Sequence, residues 1–257
     1  MKNSSLRNRK LIVLSIVILL GLWAIFSKVI NNSIYLPTLS EVWNEFISIV
    51  TEVGFLKSIL SSIWRSIESF LIALILALVL GVLSAFNRYI YNFIYPLLVV
   101  ARSIPTIAFI LIALIWVNKD MAPILIGVII SFPIFYELIV SSIIDIDKNL
   151  LEMSNVYRVS KFSMMINIYA PNICFNILRI FTSTLSLILK VVIAGEVYGQ
   201  PKYGIGASIQ LEKMNLNTAA IFAWIIIVCT ITILFDYILG IINKKTILRK
   251  VGDSNAV

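Results

Sequence analysis

Long apolar runs separated by short polar segments make up most of the chain, and their lengths predict transmembrane helices. A helix needs about 20 apolar residues to cross the hydrocarbon core of a bilayer. Six stretches meet this length, at residues 11–30, 66–87, 93–117, 121–144, 173–195 and 218–243. The first run follows basic residues, as in a signal peptide, but it is too long and no small-residue cleavage site follows it, so we interpret it as a retained helix. The pattern predicts an all-α, polytopic membrane protein with six transmembrane helices.

The connection between the fourth and fifth predicted spans, residues 145–171, is a polar insert in an otherwise apolar chain. Apolar positions recur in it at helical spacing, at Leu150, Leu151, Met153, Val156 and Val159. Pro171 marks the return to the membrane. We therefore predict a short amphipathic helix pair on which a partner outside the membrane docks. The alternative is a long connector that only carries solvated charge.

A second amphipathic segment follows the first predicted span. Thr38 and Glu41 have the spacing of a capping box, which predicts the start of a helix. The apolar residues that would share one face of this helix are Leu39, Trp43, Phe46, Ile47 and Val50. We predict an interfacial helix that lies on the outer leaflet.

Composition agrees with the membrane interpretation. Of the 257 residues 60% are hydrophobic and 13% are charged, with a mean hydropathy of +0.99, whereas about a quarter of the residues of a soluble domain are charged. The net charge of +8 comes from Lys and Arg at the ends of apolar runs, where membrane topology and anionic lipid explain it better than nucleic acid does. The excess of these residues on one side predicts that both termini and the insert are cytoplasmic.

Several kinds of chemistry lack their residues. The chain has no histidine, and its two cysteines stand alone in apolar segments, which excludes a disulfide scaffold and most zinc sites. No phosphate-binding G-x-x-x-x-G-K-[ST] motif and no G-x-S-x-G nucleophile elbow occurs. We therefore expect a single membrane domain over residues 1–257, with no catalytic residue, no metal site and no cofactor bound by this chain.

Charged residues inside the predicted spans are candidate functional residues, because each costs at least about 2.5 kcal/mol at the centre of a helix. They are Arg102, Glu137, Arg179, Lys190, Glu196 and Asp236. Arg102 and Lys190 lie deepest, and Pro105 interrupts the helix near Arg102. These three residues could line a path for an anion, and the alternative is that the charges form structural pairs. For Arg179 and Glu196, near the ends of their spans, we favour a structural role.

Four segments together resemble the membrane-spanning permease subunits of bacterial ABC importers, in the branch for nitrate, sulfonates, taurine and thiamine precursors. The resemblance covers nearly the whole chain and rests on LPTLSEVW at 36–43, on Ser62, Arg65, Phe70, Ala73 and Gly81, on Pro96, Arg102, Ile104, Pro105 and Ala108, and on Leu178, Arg179, Gly195, Glu196, Gly204, Ile205 and Gly206. Ser69 stands where the family has a glycine. The implied fold is a type I ABC importer (MetI-like) permease.

The insert resembles the cytoplasmic coupling loop of these permeases, which docks into a cleft of the ATPase subunit. The resemblance implies a coupling role for Leu151, Glu152, Ser154, Val156, Tyr157, Lys161, Phe162 and Pro171. Lys161 replaces the glycine at which the family's loop turns, so either the turn has shifted by one residue or the loop is straighter than usual. In the outer loop, Glu196, Gly204 and Gly206 would face an extracytoplasmic binding protein, and the alternative is a plain re-entrant turn.

The implied partners are an identical permease copy, a cytosolic ATPase dimer that carries ATP and Mg²⁺, the binding protein and membrane lipid, in the bacterial inner membrane. Two other functions stay open. An ion-gradient-driven secondary transporter usually has internal repeats with interrupted helices, and a membrane enzyme of lipid metabolism needs clustered Asp or His. We find neither pattern. A sulfonate, taurine, nitrate or thiamine-precursor-like solute is the expected substrate class.

Overall fold

The computed structural model describes the backbone of residues 9–254 and the side chains of residues 11–237; within these ranges every regular element is a helix. The helices are α1 (Arg9–Ile30), α2 (Leu39–Thr51), α3 (Phe55–Phe86), α4 (Arg88–Ser103), α5 (Thr106–Trp116), α6 (Ala122–Ile144), α7 (Lys148–Val156), α8 (Lys161–Met164), α9 (Ala170–Gly199), α10 (Ile205–Met214) and α11 (Thr218–Ser254). A π-helical turn, Met165–Tyr169, joins α8 to α9.

Within the described residues five helices are long and apolar enough to span a membrane, and α4 with α5 forms a sixth, broken candidate. The prediction of six spans is confirmed in this form. The predicted span 93–117 is not one helix, because the chain bends by 107° between α4 and α5. Pro105 lies at the bend as the N-cap of α5, where its missing amide hydrogen is not needed. α3 begins eleven residues before the predicted boundary at residue 66, because its first turns are amphipathic rather than wholly apolar.

Small residues let α3 pack tightly against α6 and α9. Ser62, Ser69, Ala73 and Ala77 of α3 are completely buried. Ser69, which replaces the family's glycine, donates hydrogen bonds to the carbonyl oxygens of its own helix and of Ile124 on α6. Short side chains allow close backbone approach in a membrane, where van der Waals contact rather than water exclusion holds helices together. The crossing of α3, α6 and α9 forms the centre of the fold.

The N-terminal helices lie at the edge of this centre. α1 is largely exposed and is held at its outer end by Trp23, whose indole N–H donates to Pro37 O at 2.9 Å and whose ring meets Phe222 edge-on. The capping box of α2 is present as predicted: Thr38 Oγ1 accepts from Glu41 N, and Glu41 Oε2 accepts from Thr38 N. Val42 and Ile49 bury one face of α2 against α11. The lipid-facing role of the other face stays a prediction.

Candidate functional site

The insert folds as two short helices joined by a tight turn. Asp147 caps α7 by accepting from Asn149 N at 2.9 Å, and Ser160 caps α8 by accepting from Ser163 N at 3.2 Å. Between them Arg158 adopts the left-handed conformation at φ 51°, and Val159 N donates to Ser154 O. The predicted helix pair is confirmed.

The position of the turn decides what Lys161 does. Lys161 is the first residue of α8 and has a helical conformation, so it does not form the turn in which the family has a glycine. The reversal lies three residues earlier, at Arg158. The loop therefore turns rather than running straighter, but the turn lies three residues before Lys161 and not one residue away, as the first alternative had it. An arginine in the left-handed region is strained by about 1–2 kcal/mol.

Three large side chains project from the turn into solvent. Val156, Tyr157 and Phe162 are 79%, 76% and 75% exposed, and we name this group the apolar tip. Single exposed apolar residues are common, but three of them on the two sides of one turn are a candidate contact surface. The predicted contact residues Val156, Tyr157 and Phe162 are therefore all available to a partner.

The other predicted coupling residues have different surroundings. Leu151 is half-buried and lines a cavity of about 590 Å³ beneath the insert, together with Phe86, Asn155, Lys161, Met164, Met165 and Tyr169. Ser154 is only 4% exposed and its hydroxyl donates to Leu150 O, so it faces its own chain and is not a docking contact. Glu152 is exposed on α7, and Pro171 is exposed in the first turn of α9.

Polar residues without a predicted role hold the start of α9 against the other transmembrane helices. Asn172 Nδ2 donates to Ser142 O at 2.5 Å, and Asn176 Nδ2 donates to Ser142 Oγ at 2.9 Å. Phe86, at the end of α3, meets the ring of Tyr169 edge-on. These contacts connect the start of α9 with α6 and α3. Asn172 and Asn176 are polar residues one turn apart in an apolar run, which is the signal that could have identified them.

The three predicted path residues do not form one site. Arg102, in the last turn of α4, forms an ion pair with Glu137 of α6, and both side chains are about half exposed. Pro105 is exposed at the bend before α5. Lys190 lies on α9 and lines a separate cavity with Asp236 of α11. The structure therefore places Arg102 against α6 and Lys190 towards α11.

Near the C-terminal end of α9, Glu196 is the centre of a buried network. Its side chain is 0% exposed and accepts from Ser62 Oγ at 2.7 Å, Arg65 Nη1 at 2.8 Å and Gly206 N at 3.0 Å. Arg65 also donates to Tyr203 O at 2.7 Å, which ties the loop before α10 to α3. These bonds compensate the cost of burying the carboxylate.

The two loop glycines make room for this network. A Cβ on Gly204 would lie 2.7 Å from the Glu196 carboxyl group, and one on Gly206 would lie 2.2 Å from Ile193 O. Glu196, Gly204 and Gly206 are all buried, so the prediction that they themselves face a partner is wrong. They position the exposed residues above them, Lys202 and Tyr203. Ser62 and Arg65 appeared in the sequence only as motif residues, without an assigned partner.

Comparisons with known proteins agree with this architecture. Residues 77–248 match the family described as "Binding-protein-dependent transport system inner membrane component". A protein of Methanocaldococcus jannaschii that bears the name of an ABC transporter permease is 24% identical over 230 residues, which cover 87% of this chain and 86% of that protein. A solved structure of the MetNI methionine ABC transporter in inward-facing conformations has a TM-score of 0.65 at 14% identity, covering 75% of this chain and 95% of the other. At this identity the structural likeness shows the fold alone.

Proposed function

The chain belongs to the family of binding-protein-dependent transport system inner membrane components, and from this premise we propose that its insert couples it to a separate ATPase. The protein is an ABC transporter permease subunit of the importer fold. In the proposed importer a second copy of the chain completes the translocation path, a cytosolic ATPase dimer carries ATP and Mg²⁺, and an extracytoplasmic protein delivers the solute.

The apolar tip is the observation that carries this proposal. Val156, Tyr157 and Phe162 flank the turn between two capped helices, and each side chain is at least 75% exposed. A short helix that presents a few apolar anchors is a common mode of docking into a groove. Aromatic residues dominate the energy of such interfaces, so Tyr157 and Phe162 are the expected anchors, and exposed Glu152 orients the helix.

We assign the contact with the binding protein to three exposed residues at the loop before α10, Lys57, Lys202 and Tyr203, which we name the rim. Lys57 and Lys202 place their ammonium groups 5.6 Å and 5.5 Å from the centre of the Tyr203 ring. The Glu196 network fixes Tyr203 through the bond from Arg65 to its carbonyl oxygen. A rigid basic and aromatic rim supplies the polar and stacking contacts of a specific interface.

The protein is proposed to be a multi-pass protein of the cell membrane. Because the insert follows the fourth of six spans, a cytoplasmic insert requires that both termini are cytoplasmic as well. Single cysteines at Tyr157 and Lys202, in a chain carrying Cys174→Ser and Cys229→Ser, test this orientation because both positions are exposed. An impermeant thiol reagent applied to intact cells should label the cysteine at 202 and not the one at 157. Labelling of 157 alone would reverse the orientation and remove the insert from the ATPase.

Co-purification with the ATPase tests the coupling directly. Tyr157→Ala and Phe162→Ala should each weaken the association by about 2 kcal/mol or more, as expected for a lost interface anchor. Tyr35→Ala is the matched control, because Tyr35 is also 76% exposed but lies in the loop before α2. If the Tyr157 and Phe162 variants retain the ATPase as tightly as the Tyr35 variant, the coupling assignment is wrong.

The substrate class is proposed from the resemblance: a sulfonate, taurine, nitrate or thiamine-precursor-like solute. Arg102 with Pro105, and Lys190, are proposed to contact the solute at two separate places along the path. Identification of the ligand of the partner binding protein by mass spectrometry of the purified complex would test the class, and a ligand without an anionic or heterocyclic group would contradict it.

A further inference from the structure

One face of α9 carries polar side chains along the middle of the helix. Thr182, Ser183, Ser186 and Lys190 recur at spacings of three and four residues, so they share a stripe. About 20 Å of helix separates Ser186 from the outer end of α9, which places the stripe within the apolar part of the bilayer. With Leu187 and with Asp236 of α11, these residues line a cavity of about 380 Å³.

The cavity contains two opposite charges that do not bond to each other. Ser186 Oγ donates to Asp236 Oδ1 at 3.0 Å, but no contact within 4.0 Å joins the Lys190 ammonium group to the Asp236 carboxylate or makes either part of another ion pair in the described residues. The arginines Arg65 and Arg102, in contrast, both have carboxylate partners. Lys190 and Asp236 are both exposed and both line the cavity.

Contact between lipid and this face of α9 would cost free energy. A charged side chain near the bilayer centre costs at least about 2.5 kcal/mol, and such residues face protein or a water-filled space instead. Hydroxyl groups on the same stripe are able to donate to and accept from a polar ligand. A volume of this size lies at the lower end of the range for small-molecule sites.

We infer that the cavity between α9 and α11 binds a small zwitterionic solute, with Lys190 contacting its anionic group and Asp236 its cationic group. The inference rests on the proposed transport function and adds a solute class and a site to it. A ligand with a single charge would leave the opposite charge of the cavity without compensation, which is costly in a region of low dielectric constant. A zwitterion compensates both charges and contributes no net charge to the membrane.

Thiol labelling of the purified permease in lipid nanodiscs tests the site without the other subunits. Ser183→Cys, in a chain carrying Cys174→Ser and Cys229→Ser, places the reporter in the cavity. β-Alanine and 5-aminovalerate serve as zwitterionic probes of two lengths, and propionate and ethylamine are their single-charge analogues. At least one zwitterion should slow labelling by a charged methanethiosulfonate about threefold or more, and the single-charge analogues should not.

The two charges are then removed one at a time. Labelling is measured with one anionic and one cationic methanethiosulfonate. Lys190→Gln should slow labelling by the anionic reagent relative to the cationic one, and Asp236→Asn should have the opposite effect. Each substitution should also abolish protection by the zwitterion. Lys28→Gln, which removes an exposed lysine from α1, is the matched control and should change neither quantity. Leu19→Cys on the apolar helix α1 reports the labelling rate of a lipid-facing position.

Three outcomes would overturn the inference. Ser183→Cys that labels no faster than Leu19→Cys would mean that the face contacts lipid. Protection by propionate or ethylamine equal to that by both zwitterions, or no protection at all, would exclude a zwitterion site. Recovery of wild-type thermal stability in the Lys190→Asp, Asp236→Lys double variant, after loss in each single variant, would show that the charges pair with each other or with a second copy.

The proposed function is tested separately by ATPase association, which Lys190→Gln should leave unchanged because Lys190 lies far from the apolar tip along α9. If the wild-type chain does not associate with the ATPase, the proposed transport function is contradicted, but the labelling result stays valid. Intact association with failed protection would contradict the zwitterion site alone.

Discussion

Arg65 and Glu196 form an ion pair of 2.8 Å across 131 positions of sequence, and the carboxylate of this pair is completely buried. The pair joins α3 to α9, and the loop before α10 and the first turn of α10 close over it through Tyr203 O and Gly206 N. A buried pair of this kind contributes little net free energy, but the loss of one partner leaves the other charge uncompensated.

Removal of the Glu196 carboxylate should therefore destabilise the protein strongly. We expect Glu196→Ala to lower the free energy of unfolding by about 3–5 kcal/mol, because Arg65 would keep only the exposed Asp120 as a carboxylate partner and the buried Gly206 N would lose its acceptor. Asp120→Ala is the control, since Asp120 is the second and more exposed partner of Arg65 and should cost less than about 1 kcal/mol. Thermal unfolding in detergent measures both, and equal effects would contradict the central role of Glu196.

The contact between Ser69 and Gly127 predicts a coupled pair of substitutions. A Cβ at Gly127 would lie 2.6 Å from Ser69 Oγ, so Gly127→Ala should destabilise the protein by about 1–3 kcal/mol through overpacking. Adding Ser69→Gly removes the atom that clashes and should recover part of the loss. The coupling energy of the double-mutant cycle, measured by thermal unfolding, decides the question. Strictly additive effects would place the strain elsewhere, for example against Val192.

Arg158, not Lys161, is the residue of the insert that a glycine should relieve. Arg158→Gly removes the strain of the left-handed conformation and should stabilise the turn by about 1 kcal/mol. Lys161→Gly places glycine at the start of α8, where nothing is strained, and should have no stabilising effect. The rate of limited proteolysis within 157–160 reports the order of this turn. Slower cleavage in the Lys161 variant than in the Arg158 variant would contradict the observed turn.

The N-terminus of α2 should lose stability in acid. The pKa of Glu41 is lowered from its ordinary value of 4.5 first by the hydrogen bond from Thr38 N and then by that from Ser33. A lowered pKa in the folded state means that the contribution to stability is present above pH 4.5 and is lost as the pH falls through the folded pKa. The protection factors of the α2 amides, which correct for the slower intrinsic exchange in acid, should fall below this range, and Glu41→Gln should remove that fall.

Glu212 provides a control of opposite sign. Its pKa is raised above 4.5 first by burial and then by the charge of Glu45. The folded state therefore binds the proton of Glu212 more tightly than the unfolded state does. Stability from this group therefore decreases as the pH rises from 4.5 through the folded pKa. Glu212→Gln should raise the melting temperature at neutral pH and leave it unchanged in acid. A Glu212 variant that is less stable at neutral pH would contradict this sign.

Local patterns account for what the sequence predicted correctly. Apolar length located the membrane helices, and the capping box at Thr38 located the start of α2, because both signals lie within a few neighbouring residues. The interruption at Pro105 was predicted, but its angle of 107° was not, because the apolar run continues unchanged on both sides of the proline. The burial of Glu196 was missed because its partners Ser62 and Arg65 are more than a hundred positions away and become neighbours only when α3 crosses α9.

The shift of the turn to Arg158 could not be read from the sequence either, since no glycine or asparagine marks the position and an arginine rarely adopts this conformation. The surrounding contacts impose it. The hydrogen bond from Val159 N to Ser154 O closes the end of α7, and the cap at Ser160 starts α8 only two residues later. The connection between these two helix ends leaves Arg158 no relaxed alternative.

Helical structure continues from Lys161 through the π-helical turn to Gly199, a run of 39 residues. Such a run is about 58 Å long, so it exceeds the thickness of a bilayer. It connects Phe162 of the apolar tip, near one end, with Glu196, near the other. A tilt of about 5° about its inner end would move the outer end by about 5 Å. Because helix is stiff, displacement of the tip reaches the opposite side of the membrane unless the π-helical turn absorbs it by bending.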